Sequence, residues 1–252
     1  MSYCGLHTNV EDSHFALMYT YKFPRPQVAV DSVIFGLIGD LLQILLVRRA
    51  TKPFAGQWAL PGRIVRIDES QGGGESLEEA AQKALRKAGI RDVYMEQLYT
   101  FGATDRDPSG RVVSVAYYAL VKPSALQLAP GEGASDVRWF PIDKVPALAF
   151  DHAEILDKAY ERLRTKVRYQ PLGFELLPES FTLSELQMLY ERILGQPLDK
   201  RNFRKWILAR DLLKPLDRHR QTRGRPAQLY RYDKRRYKKL THEGFDYPLR
   251  PS

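Results

Sequence analysis

Residues 57–90 read QWALPGRIVRIDESQGGGESLEEAAQKALRKAGI. The second half of this stretch has the pattern of an amphipathic helix. Ser76 and Glu79 stand at capping-box spacing, Leu77, Ala80, Ala81, Ala84, Leu85 and Ala88 recur at the helical period, and Gly89 supplies a stop. The spacing predicts a helix over 76–88. Its charges are sorted along the chain: Glu75, Glu78 and Glu79 come first, Lys83, Arg86 and Lys87 follow, and no Asp or Glu occurs between Gln82 and Arg91. Upstream, the Pro and Gly residues of 51–62 (TKPFAGQWALPG) predict a loop that interrupts regular structure.

Before that loop, two apolar runs, VAVDSVIFGLI (28–38) and LLQILLV (41–47), flank Gly39-Asp40, a hairpin turn signal between strands. Beyond the helix, strand-like runs are expected at 94–101 and 112–121, separated by TDRDPSG and followed by VRWFPID, and helical patterning resumes over about 152–166. These elements predict a mixed α/β unit over 27–150, a connecting helix in 151–170, and an aperiodic arm over 1–26.

The remaining residues, 171–252, have a different grammar. Thr182 and Glu185 form a second capping box for a helix over 182–194 that ends at Gly195. Asp199 can cap another helix to about 209, with Phe203, Trp206 and Ile207 at core spacing. Strands at 212–216 and 228–232 can then pair around the tip DRHRQTRGRPA. Helix, tight turn, basic helix and basic hairpin describe a winged helix-turn-helix. In such a module the second helix enters the major groove with its N-terminal residues leading. Here Lys200, Arg201, Arg204 and Lys205 form its exposed side, and Asn202 or Arg201 can make bidentate bonds to adenine or guanine. At the tip, Arg220, Arg223, Gly224 and Arg225 precede Pro226, and Arg-Gly-Arg-Pro resembles a minor-groove AT-hook. His219 reads as one more surface group.

Charge follows the same division. The 252 residues carry +9 formally, but residues 1–160 hold 17 basic and 19 acidic side chains, a net −2, while 161–252 hold 22 and 11, a net +11. The excess suits a module that meets a polyanion. With 44% hydrophobic and 27% charged residues, disorder as the main state is excluded. The single cysteine, Cys4, rules out an intramolecular disulfide and a cysteine-based zinc site. The apolar stretch 33–47 is broken by Asp40 and Gln43, and the N-terminus lacks a basic segment followed by an apolar one. A cytoplasmic protein without a membrane span is therefore expected.

The segments QWALPGRIV and GESLEEAAQKALRKAGI resemble the Nudix fold and its signature helix. In that family, carboxylates three and four residues apart on one helix face hold Mg²⁺ against a diphosphate for hydrolysis. Gly62, Glu75, Leu85, Gly89 and Ile90 match the pattern, but the catalytic positions do not. Counting forward from Glu75 puts Lys83, Ala84, Lys87 and Ala88 there. Counting back from Gly89 puts Lys83, Arg86 and Lys87 there and Gly74 on the early Glu. No catalytic residue, metal site or cofactor is expected. Glu75, Glu78 and Glu79 read better as first-turn dipole partners than as substitute ligands. Lys83, Arg86 and Lys87 keep two readings, a solvated face or direct contacts to a ligand diphosphate.

The Nudix resemblance places Arg48, Arg49, Trp58, Glu75, Lys83, Arg86 and Lys87 as ligand-binding candidates. Trp58 or Phe54 is suited to stack on a base, and 105–111 forms a further facing loop. Each of these is equally suited to packing or surface exposure. A Nudix-like α/β/α sandwich with a mixed sheet, lacking its metal carboxylates and followed by a winged helix, resembles the Nudix-related transcriptional regulators of NAD metabolism, the NrtR type. LAFDHAEILDKAYERLR, FELLPESFTLSELQMLYERILGQPLDKRNFRKWIL and RGRPAQLYRYD extend that resemblance over residues 27–240. It implies a homodimeric repressor that binds double-stranded operator DNA and responds to a small effector, ADP-ribose or a related nucleotide, or a sugar as in sister regulators. Two other functions compete: an active Nudix hydrolase of ADP-ribose or a related compound, and a nucleotide-binding scaffold whose basic tail meets a protein or membrane surface.

Overall fold

The apolar run of residues 28–38, whose side chains point to the two sheet faces in turn, fixes where the helices pack. A computed structural model of the chain describes residues 22–68, 73–91, 93–123, 128–221 and 225–242. The arm expected over 1–26 falls, for residues 1–21, outside them. Strand β1 (Gln27–Ile38) turns through Gly39-Asp40 into β2 (Leu41–Arg49), the expected hairpin. Short β3 (Trp58–Ala59), β4 (Gly62–Ile64), β5 (Ile67–Asp68) and β6 (Gly73–Gly74) lead to α1 (Leu77–Lys87), then β7 (Tyr94–Phe101), β8 (Val112–Val121), β9 (Ala134–Pro141) and α2 (His152–Lys166). The main sheet runs β3-β2-β1-β8-β7, with β4 added on β1 and β9 on β2. It is mixed, because β1 and β8 are parallel and its other pairs antiparallel.

Val30 and Ile34 of β1 face α1, whose Ala80, Ala81, Ala84 and Leu85 let the helix approach closely. Val33 and Phe35 face α2 on the other side. A strand covered on both faces is apolar at nearly every position, which is why 28–38 reads as a run rather than an alternation. The helix on each face completes the expected α/β/α sandwich. The capping box of α1 is present, Ser76 Oγ accepting from Glu79 N and Ser76 N donating to Glu79.

The winged helix follows. A 3-10 turn (Leu172–Glu175) leads to β10 (Phe181–Thr182), α3 (Leu183–Leu194), α4 (Lys200–Leu208), β11 (Leu213–Arg220), β12 (Ala227–Tyr232) and α5 (Lys234–His242). Thr182 and Glu185 cap α3, and Gly195 closes it at φ 70, a left-handed geometry that costs an L side chain. Asp199 caps α4 by accepting from Asn202 N at 2.8 Å.

Three expectations need correction. Residues 51–62 were expected without regular structure, but Trp58 and Ala59 form β3, because their backbone pairs with Arg48 and Val47 at the sheet edge. The hairpin tip is shorter than 217–227: β11 resumes pairing after a bulge, with His219 opposite Gln228 and Arg220 opposite Ala227. Helix α5 was not anticipated. Its sequence KRRYKKLTH offers only Tyr237 and Leu240 to the core, and it is held instead by Asp233 accepting from Arg235 N and Arg236 N and by the Lys234–Glu175 and Arg236–Asp211 ion pairs.

One buried cluster extends from the sheet through Ile155, Ala159 and Leu163 of α2 into Leu186, Tyr190 and Ile193 of α3 and Phe203 of α4. Polar clamps reinforce α2. Lys166 Nζ lies 2.6 Å from both oxygens of Glu96, whose Oε2 also accepts from Tyr94 and Tyr118, and Arg164 donates to Leu194 O at 2.9 Å. Leu163 is fully buried, so Leu163→Ala should cost about 2–5 kcal/mol. In urea unfolding the whole chain should shift in one transition. An unchanged midpoint, or a shift confined to one of two transitions, would contradict a continuous core.

Candidate functional site

Asp31 is a charged residue inside an apolar strand, and its surroundings explain its place. It is 6% exposed, accepts from Ser114 Oγ at 2.6 Å, and lies 3.5 Å from both Arg106 Nη2 and His152 Nε2. Arg106, in the loop between β7 and β8, spends its fork on Asp151, with Nε to Oδ2 at 2.7 Å and Nη2 to Oδ1 at 2.6 Å. Burial opposes the Arg106 charge, but the bonds to Asp151 and the nearby Asp31 and Asp107 outweigh it, so its pKa lies above the ordinary value. A carboxylate and a guanidinium this deep are tolerable only because each is paired. Gly62 permits the arrangement: a Cβ there would sit 2.7 Å from Val30 O and collide with the Asp31 carboxylate.

Asp31, Gly62, Arg106 and His152 line a cleft of about 320 Å³, within the size range of small-molecule sites. Arg49, Arg63, Lys87, Asp107 and Phe150 also line it. Arg49 donates to Pro53 O at 2.8 Å and lies over the Phe150 ring at 4.8 Å. Burial lowers its pKa, opposed by Asp107 and Asp31. Phe150 and Phe54 pack edge to face, and both hold left-handed backbone, φ 56 and 60, a strain that clusters at functional sites.

The seven ligand-binding candidates are thus divided. Arg49 and Lys87 line the cleft. Arg48 is exposed and donates to Gly56 O, and Trp58 packs against Phe140 at 4.8 Å, beside the cleft rather than in its lining. Glu75 lies one layer behind. It accepts from Arg66 N at 2.7 Å and from Lys83 at 2.8 Å, and pairs with the cleft's Arg63 at 3.0 Å. Burial raises its pKa, but the Lys83 and Arg66 bonds and the Arg63 charge prevail and hold it below the usual carboxylate value. Arg86 lines a small separate recess with Arg91 and Met95. Sequence reasoning missed Asp31, Asp151, His152 and Arg63, and reached Arg106 only within the facing loop 105–111. The one available signal was an aspartate within an apolar run.

Mg²⁺ does not fit this set. The dication wants several oxygen ligands, yet both Glu75 oxygens already face cations, and Lys87 faces Glu132 at 2.9 Å where the signature calls for carboxylate. Among the described residues no group of three His, Cys, Asp or Glu stands together as a metal site.

The second surface lies on α4. Phe203 and Ile207 anchor it, and Trp206 packs near Tyr190, leaving Lys200, Arg201, Asn202 and Lys205 exposed. Arg204 is half-buried and reaches Ser184 Oγ at 3.3 Å. Arg220 belongs to the strand, where it pairs with Glu185 of the α3 capping box and donates to Ser180 O at 3.4 Å. Arg225 is exposed beyond it, while Arg223 and Gly224 lie outside the described residues.

A mixed-sheet sandwich with a cleft above α1, sharing a core with a winged helix, defines a two-part ligand-binding and helix-turn-helix protein. A NUDIX domain model matches residues 25–163, and a model of the NrtR DNA-binding winged helix domain matches residues 173–232. The chain belongs to the Nudix-related regulators of the NrtR type. It is 37% identical over 224 residues to the "ADPR responsive transcriptional repressor NtrR" of Acinetobacter baylyi, covering 88% of each chain. It is also similar to Shewanella oneidensis NrtR complexed with a 27mer DNA, with a TM-score of 0.74 and 37% identity, covering 89% of this chain and 99% of that one. The NUDIX domain of that protein complexed with ADP ribose matches at a TM-score of 0.50 and 36% identity, covering 61% of this chain and 99% of that one. A third relative, the ADP-ribose pyrophosphatase of Methanocaldococcus jannaschii, is 34% identical over 139 residues, 55% of this chain and 75% of its own. No helix among the described residues is long and apolar enough to cross a membrane.

His152 gives the site a pH signature. Its Nδ1 accepts from Leu60 N at 2.9 Å, and burial pushes its pKa below the usual value, opposed by Asp31 and Asp151 and aided by Arg106 and Arg49. The unfolded chain therefore binds a proton that the folded one refuses. Stability should be complete above about pH 6.5 and fall as pH drops below it. His152→Gln retains an acceptor for Leu60, so its melting temperature should fall less between about pH 6.5 and 5. An equal fall in both proteins would refute the assignment.

Proposed function

We propose that this protein is a ligand-responsive transcriptional repressor without hydrolase activity. Residues 27–150 sense ADP-ribose or a related nucleotide in the cleft, 151–170 connect, and 171–252 bind operator DNA. The observation that carries the reading is that α1 sets Lys83 and Lys87, paired with Glu75 and Glu132, where a hydrolase needs metal carboxylates, while the same chain exposes a basic leading turn on α4. The names of the Acinetobacter and Shewanella relatives support both ligand and DNA.

In the cleft, Arg49, Arg63 and Lys87 supply the positive charge that a diphosphate requires, and Phe150 offers an aromatic face. On DNA, Lys200, Arg201 and Lys205 neutralise phosphates or read base edges with Asn202, and Arg225 with the neighbouring Arg223 and Gly224 enters the minor groove. Arg204 and Arg220, tied to Ser184 and Glu185, hold α4 and the wing in register. A homodimer in the cytoplasm would place two α4 helices about 34 Å apart on a palindromic site.

The hydrolase reading draws on the pyrophosphatase relative and on the three glutamates at the start of α1. Incubation with Mg²⁺ and ADP-ribose separates the two: no turnover is expected, and turnover abolished by Glu75→Gln would overturn the repressor-only view. In gel shifts on DNA upstream of its own gene, affinity should fall steeply with salt. Arg201→Ala and Arg225→Ala should each weaken binding by about tenfold and lower the salt slope by about one if they contact phosphate. Absence of a shift at low salt would defeat the reading.

A further inference from the structure

Asp151 stands at the N-cap of α2, where an aspartate ordinarily accepts from the amides of the helix's first turn. Its side chain makes no such bond. Both oxygens are turned instead to Arg106, which lines the cleft. The carboxylate now holds the Arg106 fork, and a turn of its backbone from ψ 19 to the extended geometry of the other caps would give it a second set of partners, the amides of Ala153 and Glu154. The guanidinium, whose Nη2 also faces Asp31 at 3.5 Å, has two as well: an anion in the cleft that reaches Nε and Nη2 competes with Asp151 for these donors. We propose that this exchange couples the cleft to the DNA-binding module: a ligand phosphate takes Arg106, and the released Asp151 caps α2.

The rest of α2 carries the consequence. Its first residue, His152, is held by Leu60 N at the cleft floor, while its later turns pack into the core shared with α3. Tyr160 donates to Arg192 O at 3.5 Å and Arg164 to Leu194 O at 2.9 Å. Those carbonyls belong to the last turn of α3, directly before Gly195 and the turn into α4. A change in how α2 begins therefore reaches the helix that sets the position of α4. Contiguity alone is not coupling, which requires an element with two arrangements that both ligands bias. Asp151, with its alternative partners, is that element. It acts through Arg106 as a positioning residue and is absent from the lining of the cleft.

The inference rests on the repressor reading, and the experiment separates the two. Full-length protein is titrated with ADP-ribose by calorimetry and with operator DNA by fluorescence anisotropy, with and without ADP-ribose, for wild type, Asp151→Asn and Asp151→Ser. Both variants retain a capping oxygen and lose the charge that holds Arg106, so one remains if the other fails to fold. ADP-ribose should bind the variants at least as tightly as wild type, because the competing carboxylate is gone, while the ligand-induced change in DNA affinity should fall to less than a third of the wild-type factor, and a loss of ADP-ribose affinity beyond about threefold would overturn the exchange. In wild type, hydrogen exchange at the amides of Ala153 and Glu154 should slow when ADP-ribose binds, a readout that a merely structural ion pair would not move. A wild type whose DNA binding ignores ADP-ribose overturns the repressor reading and this inference together. A responsive wild type matched by equally responsive variants overturns the inference alone.

Discussion

Helix α2 buries a single stripe that the sheet and α3 share, and most of the molecule is organised by that constraint. Ile155, Ala159 and Leu163 lie on that stripe and join the cluster that contains both the sheet residues Val33 and Phe35 and Leu186, Tyr190 and Phe203. The sandwich and the winged helix consequently share a core instead of meeting across a polar seam. Interfaces of that apolar kind resist independent domain motion. Adjustment at the start of α2 is then felt at α3, and Glu96 with Lys166 fixes the other end of the lever.

The cleft illustrates a charge inversion that leaves the fold intact. Helix α1 packs through alanines and Leu85, while its outward positions are free to change sign without disturbing the sheet. Carboxylates there would gather a dication. Lysines there pair with Glu75, ahead of the helix, and Glu132, ahead of β9, and Arg49, Arg63 and Lys87 line the cleft. The same scaffold can therefore host hydrolysis in one relative and ligand sensing in another, because fold and site are separable.

Much of this was legible in the chain because the relevant signals are local. Both capping boxes, the hairpin at Gly39-Asp40, the strands at 94–101 and 112–121 and the cap at Asp199 each depend on residues within a few positions of one another. Helix α5 is illegible for the converse reason: its apolar stripe is thin, and beyond the local cap at Asp233 it is held by Glu175 and Asp211, distant in sequence. Arg220 was read as part of a basic tip because a strand that resumes after a bulge leaves no local mark.

The sequence by itself determined the two-part architecture, the winged module, the basic second half of the helix over 76–88 and the division of charge into −2 and +11. Periodicity, capping and net charge act over short range or as sums, so they survive without coordinates. Only the tertiary structure decided that Asp31, Arg106, Asp151 and His152 meet in one buried network, and that Glu75 stands behind the cleft with its oxygens already engaged. Arg106 and Asp151 are 45 positions apart, and Asp31 and Arg106 75 apart. Burial is what makes such pairings obligatory, and burial is a property of the folded chain.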